Sequence, residues 1–286
     1  MDSIEVDVLV VGTGAGGMTA AITADEHGAD VLVVEKSDKV GGTSATSGGG
    51  TWVPCNHLMG KHGQTDNREN ALTYLKACIG DDVDEKRIEA FVDKAPEMLS
   101  FIMDKSHVDY ISTPYADYFP DKPGGKDGWR TLDPIPFNAA KLGDKLDTLR
   151  NPHPQTVFMG FTITIPEASK IITKAKGWLW ILMKQKILYT LDFPMRMKTK
   201  RHRRLTGGNA LLGRLYKSTL DRDIPIWLNA GMTSLVETNG KVTGAIVQKD
   251  GKPVKVTAKR GVILAAGGFE SNSEMRSKYL RGPTET

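Results

Sequence analysis

Gly12-Thr13-Gly14-Ala15-Gly16-Gly17 follows directly on the apolar, β-branched run Val6–Val11, and small or apolar residues at helical spacing follow it: Met18, Ala20, Ala21, Ile22 and Ala24. That order leaves the chain little choice. A short apolar run without alternation is a strand buried on both faces. Gly12 permits a tight turn, Gly14 lets backbone come close to a ligand, and Gly17 lets helix and strand pack with no side chain between them. The helix then aims its N-terminal N–H groups at whatever the turn holds, which suits a phosphate. Val31–Val34 is a second buried strand and ends on Glu35, which can accept hydrogen bonds from ribose hydroxyls. Strand, glycine turn, helix, strand and acid make a βαβ unit that binds a dinucleotide. An acid at the ribose argues against a 2′-phosphate, and so against NADP, leaving FAD and NAD.

Two further features favour FAD. Gly41-Gly42-Thr43-Ser44 and Ser47-Gly48-Gly49-Gly50 form a second backbone-rich loop. Its N–H groups and small hydroxyls could line a long cofactor beyond its pyrophosphate, although a flexible linker would share the composition. Near the other end, Thr233–Thr238, Val242–Lys249 and Val254–Ala258 read as strands separated by Asn239-Gly240 and Asp250-Gly251, pairs suited to tight hairpins. This antiparallel meander resembles the insertion of FAD-binding Rossmann relatives. A strand at Ile224–Asn229 precedes it, and a buried one from Gly261 follows, ending at Ala266-Gly267-Gly268.

Between these ends, Asp66 with Glu69 opens one expected helix, a second runs from Asp84 to Met103 interrupted by Pro96, and residues 106–154 read as irregular. Glu167–Phe193 reads as one helix whose apolar segment Trp178–Met183 is too short to cross a bilayer, and Asn209–Leu220 as an amphipathic helix. Ser271 with Glu274 looks like a capping box. The fold class is α/β: a Rossmann-like FAD-binding domain over residues 1–270, with parallel sheet, small antiparallel meander and an irregular and helical insertion at 106–205. Residues 271–286 would start an incomplete substrate domain.

These motifs resemble a family. Val-Val-Gly12-Thr-Gly14-Ala-Gly-Gly17-Met, Val-Glu35-Lys36, Gly41-Gly42-Thr43-Ser44, Ser47-Gly-Gly-Gly50 and Leu-Ala-Ala-Gly267-Gly268-Phe-Glu are similar to the fumarate reductase and succinate dehydrogenase flavoproteins. Within that superfamily, Ile79-Gly80-Asp81, Asp117-Tyr118-Phe119-Pro120, Pro123-Gly124-Gly125 and Pro136-Phe137-Asn138-Ala139 resemble the 3-oxosteroid 1-dehydrogenases. The resemblance implies a flavin enzyme that removes two hydrogens from carbons 1 and 2 of a 3-oxosteroid and passes the electrons to an external acceptor. It places FAD against Gly12, Gly14, Ala15, Gly16, Gly17, Glu35, Lys36, Gly42, Thr43, Ser44, Ser47, Gly48, Gly49, Gly50, Ala266, Gly267 and Gly268. Tyr118 would support a tyrosine base, with Tyr115 close by as an alternative, while Asp117 reads as a loop residue. Members are twice this long, and the base, the carbonyl-polarising tyrosine and its partner glycine would lie beyond residue 286. The expectation is a chain that alone binds FAD weakly or not at all and does not turn over. No histidine stands between Gly41 and Gly50, so FAD would be held noncovalently. Another member acting on an enone or a dicarboxylate, or a non-catalytic cofactor-binding piece, are the alternatives.

The charge pattern narrows the partners. Six of the positive charges lie in Arg196, Lys198, Lys200, Arg201, Arg203 and Arg204, and without them the net charge of +4 turns negative. The overall charge is therefore no argument for nucleic-acid binding by the main body, and no nucleic-acid partner is expected. The cluster itself is open to reading as a solvated turn, a contact with acidic lipid spanning 178–204, or a nucleic-acid patch, in falling order. Cys55 and Cys78 have no metal or disulfide spacing, and no histidine pair has ligand spacing, so no metal is expected. No secretory segment opens the chain, and the expected location is cytoplasmic, with peripheral membrane contact an option.

Overall fold

The structure, a computed structural model, describes residues 2–270 and 272–282. Its main sheet has six strands among these residues, in the spatial order Ile226–Trp227, Val31–Val34, Asp2–Val11, Lys252–Leu264, Lys241–Lys249 and Ala230–Thr238. The first four run parallel, and Lys241–Lys249 pairs antiparallel with the strand on each side of it. The two strands expected at Val254–Ala258 and from Gly261 are one continuous strand. Its first half pairs Val254–Ala258 with Asp2–Val6, and its second pairs Gly261–Leu264 with Val8–Val11. Lys259 and Arg260 stand opposite Asp7 alone, a bulge that bends the strand and adds twist. The antiparallel part thereby lies across one face of the parallel part, where Leu9, Val11, Leu32 and Val34 share a core with Ala245, Val247 and Val256.

The opposite face is covered by helices. In the helix Ala15–Glu26, Gly17, Met18, Ala21 and Ile22 are buried. Ala21 packs with Val10, Val31 and Val33, while Met18 and Ile22 join a larger core with Leu99, Leu211, Leu212 and Leu215. The helix expected at Asn209–Leu220 spans Gly207–Asp221 and is not amphipathic in effect, because ten of its residues are buried. Both hairpins form at the expected pairs, with positive φ at Asn239, Gly240, Asp250 and Gly251.

Several local expectations are corrected. Asp66 does not cap a helix. Asn67 caps Arg68–Ile79 by accepting from the Asn70 N–H. Pro96 lies within the unbroken helix Glu85–Lys105. The single helix expected at Glu167–Phe193 is three, Ile165–Ile172, Trp178–Leu191 and Phe193–Lys198. Lys174 and Gly177, both at positive φ, break the first from the second. Ser271 lies outside the described residues, and the helix Ser273–Tyr279 is capped by Asn272. The basic stretch is partly structural rather than a solvated turn. Arg201 donates to the carbonyls of Leu146 and Leu149 and to Asn209, while Arg203 pairs with Asp192 and Arg204 with Glu167. Lys198 and Lys200 are exposed. His202 is buried between Phe161 and Tyr189, and its burial, helped by Arg204 and Arg196, lowers its pKa to about 4.

Candidate functional site

The glycine turn after Val11 opens a cleft of about 550 Å³. It is lined by Gly12, Gly14, Ala15 and Gly16 of that turn, by Glu35 and Lys36, by Gly42, Thr43 and Ser44, and by Ala266, Gly267 and Gly268. Twelve of the seventeen expected cofactor residues therefore meet in one place. Gly12 has φ +104°, and a Cβ there would stand 2.3 Å from the Ala265 carbonyl oxygen. Gly42, at φ +51°, faces Gly14 across the gap, its Cβ position 3.9 Å from the Gly14 Cα. A side chain at Gly12 would collide with that neighbouring backbone, and one at Gly42 would reach into the gap toward Gly14. Gly17 has a different task. A Cβ on it would lie 2.1 Å from the Gly12 carbonyl oxygen, so it serves helix packing rather than ligand contact.

Thr13, Thr46, Arg150, Ala265 and Glu270 complete the cleft, and sequence reasoning missed them as site residues. Thr13 donates through its amide (3.1 Å) and hydroxyl (2.6 Å) to one Glu35 carboxylate oxygen, and its hydroxyl accepts from the Gly41 N–H. The other Glu35 oxygen accepts from the Ser37 amide at 3.0 Å, which leaves it a lone pair for a ribose hydroxyl. Arg150 reaches the cleft because Val40 bridges Leu149, and its Nε is buried with no partner among the described residues. An unpaired guanidinium N–H and the N-terminus of Ala15–Glu26 suit a diphosphate. The Glu270 carboxyl, held below the usual range by its own amide, the Thr43 hydroxyl and Lys36, accepts from Thr43 at 2.9 Å. No local pattern marks Arg150. Thr13 was visible only as a free position inside the glycine motif.

Past Thr46 the second glycine loop leaves this cleft. Ser47 and Gly48 line an adjoining chamber of about 370 Å³ with Val157, Phe158, Ile163, Ile165, Ile171 and Ile172. No charged residue lines it. Gly49 and Gly50 line neither space. Gly49 packs on Gly207 and Gly208, where a Cβ would be 2.5 Å from backbone, and Gly50 lies beside Thr131 and Asp133. Among the described residues no group of three or more His, Cys, Asp or Glu could hold a metal ion.

The structure does not bring Tyr118 to either space. It is 90% exposed and rests edge-on against Phe119. The cause is its neighbour. Asp117 is buried and accepts from the Trp52 indole (2.7 Å), the Lys126 amide (2.9 Å) and Arg130 (2.8 Å), which turns the next side chain outward. The Tyr115 hydroxyl is buried without a partner, and burial, with the Asp133 charge, pushes its pKa up to about 12.

Comparison with known proteins gives concordant matches. A 3-oxosteroid 1-dehydrogenase of Comamonas testosteroni is 39% identical over 283 residues, covering 98% of this chain and 49% of that protein. The 4-oxocyclohex-2-ene-1-carboxylate 5-dehydrogenase of Sinomonas cyclohexanicum is 36% identical, covering 97% of this chain and 47% of that protein. The crystal structure of 3-ketosteroid delta1-dehydrogenase from Sterolibacterium denitrificans in complex with 1,4-androstadiene-3,17-dione matches at 43% identity with a TM-score of 0.92. It covers 98% of this chain and 50% of that one. The chain spans about half the length of the relatives it matches. The family described as "FAD binding domain" matches residues 7–284, from within the first strand to past the last helix. By that match this chain belongs to the FAD binding domain family, with FAD as its cofactor.

Proposed function

We propose that this chain works in the 1,2-dehydrogenation of a 3-oxosteroid, holding FAD noncovalently in the glycine-lined cleft beside an apolar chamber that receives the steroid. The uncharged lining of that chamber carries the reading. A dicarboxylate, or the ring carboxylate named for the Sinomonas relative, would need a cation there, because a buried carboxylate without one is costly. An uncharged steroid needs only apolar surface and a few polar anchors. FAD, when bound, supplies the acceptor for the hydride. The chain's own part is binding and orientation: Glu35 toward ribose, Arg150 and the helix N-terminus toward the diphosphate, and the Ser44–Gly48 loop between cofactor cleft and chamber. Tyr118, exposed on its loop, would support a base only in contact with a group brought to that surface. An external acceptor takes the two electrons onward.

Visible absorbance tests this. The protein is titrated with FAD and then, without oxygen, given androst-4-ene-3,17-dione or succinate. The steroid is expected to shift the flavin band saturably without bleaching it, and succinate to leave it unchanged. A response to succinate alone would overturn the assignment.

We also propose that residues 178–204 touch anionic membranes. Among the described residues no helix is long and apolar enough to cross a membrane. Yet Leu179, Trp180, Met183, Ile187, Leu188 and Leu191 all lie exposed on one helix, with Phe193 and Met197 just beyond. Lys184, Lys198 and Lys200 are exposed among them, and Lys186 is half-buried. An apolar surface with surrounding lysines suits shallow insertion. Sedimentation with vesicles containing phosphatidylserine is expected to carry the protein down, and Trp180→Glu with Leu191→Glu to abolish this. Equal binding to neutral vesicles would remove the lysines from the explanation.

A further inference from the structure

Asp133 is buried without visible reason. It sits in the strand Thr131–Pro134, between Thr51–Trp52 and Tyr110–Ser112, and is 6% exposed. Neither carboxyl oxygen has a hydrogen-bond partner among the described residues. Among the described residues the other buried carboxyls are supplied: Asp117 by Arg130 and Trp52, Asp66 by Arg130, and Glu35 by Thr13 and Ser37. The Tyr115 hydroxyl is orphaned too, so the two do not satisfy each other. Burial alone raises the Asp133 pKa, favouring the neutral acid, which can both donate and accept. Buried polar groups without partners are rare, and each calls for an explanation.

Its surroundings indicate one. Asp133 lines a recess of about 50 Å³, space for a water or for the edge of one ring. Gly48, Thr164, Ile165 and Gly207 line both this recess and the apolar chamber. The partition is thin: the Ile165 Cδ1 lies 3.8 Å from the Cβ position of Gly48. On the cofactor-loop side, Asp133 Oδ1 is 4.0 Å from the Cβ position of Gly50.

We propose that Asp133 is a ligand-recognising residue whose carboxyl hydrogen-bonds a carbonyl on the edge of an uncharged ring system held against Gly48–Gly50. This rests on the reading of cleft and chamber given above. Two ring systems offer that chemistry, the pyrimidine carbonyls of the flavin and the oxo group of the steroid, and the experiment separates them.

Wild-type protein, Asp133→Asn and Asp133→Leu are compared in two titrations. One follows FAD by visible absorbance, and the other follows androst-4-en-3-one against its 3-deoxy analogue by tryptophan fluorescence. Asn keeps a donor and an acceptor in place, and Leu has neither at similar size. The Leu variant is expected to weaken one ligand about tenfold while Asn stays close to wild type. Loss confined to FAD assigns the flavin edge, and loss of preference for the 3-oxo steroid assigns the steroid. Unchanged binding of both ligands to the Leu variant means that the recess holds only water, and overturns this inference alone. Failure of the wild-type chain to bind either ligand overturns the cleft and chamber reading and this inference with it. Should the Leu variant not fold, Asp133→Ala, which merely enlarges the recess, is read in the same way.

Discussion

Arg130 is fully buried, and four of its N–H groups find acceptors: both Asp66 oxygens at 2.8 and 2.9 Å, Asp117 at 2.8 Å and the Gly124 carbonyl at 2.9 Å. The guanidinium also faces the rings of Trp52 and Tyr74. None of this was legible from local pattern. Asp66 lies 64 positions from its partner and reads as a helix cap, while Asp117 reads as an ordinary loop residue. Burial alone would raise the Asp66 carboxyl, but Arg130 and the Cys55 amide outweigh it and leave the group below its usual value. A carboxyl lowered by folding contributes stability that is present above its unfolded pKa, near 4, and is lost as pH falls through the lower folded value. The wild-type protein should therefore lose stability below about pH 4. Arg130→Met leaves two buried carboxylates without a cation and should cost about 3–5 kcal/mol near neutral pH. It should regain part of this on acidification, as those carboxyls take up protons. Melting temperatures over a pH series check both, and a variant as stable as wild type at neutral pH would refute the account.

At the scale of elements, the helix Gly207–Asp221 organises the site although no motif of the cofactor lies on it. Its first turn presses against the second glycine loop. The Gly208 N–H donates to the Ser47 carbonyl at 3.0 Å, and a Cβ on Gly208 would stand 1.9 Å from the Ser44 carbonyl oxygen. That contact holds Ser44 toward the cleft and Ser47 toward the chamber. Gly208→Ala is expected to cost about 1–3 kcal/mol through overpacking and, by displacing Ser44, to weaken FAD binding. Thermal unfolding and an FAD titration read the two effects. Retention of wild-type FAD affinity would show that the loop position does not depend on this helix. The sequence marked this helix by its period but not its burial, because periodicity reports one apolar face and cannot show that other elements close over the rest. The break at Gly177 was likewise hidden, since the apolar residues on either side keep helical spacing.

For the molecule as a whole, what could be read in advance was what neighbouring residues decide. Gly12–Gly17 with its flanking strands, and the turns at Asn239-Gly240 and Asp250-Gly251, follow from backbone freedom and short-range pattern, and they stand where expected. Arg150 and Asp133 acquire meaning only when distant strands pair, so their places came from the fold. One pairing has a further consequence, for the order in which the chain is made. Asp2 lies opposite Val254 and Val11 opposite Leu264, so the first strand is made long before its parallel neighbour. At ordinary translation speeds roughly 250 residues take about 12–50 s to add. For that interval Val6–Val11 is an apolar strand with one edge open, unless another protein covers it. Nascent chains halted short of residue 252 should therefore be rich in chaperone, and those extended past residue 264 and clear of the ribosome should be free of it.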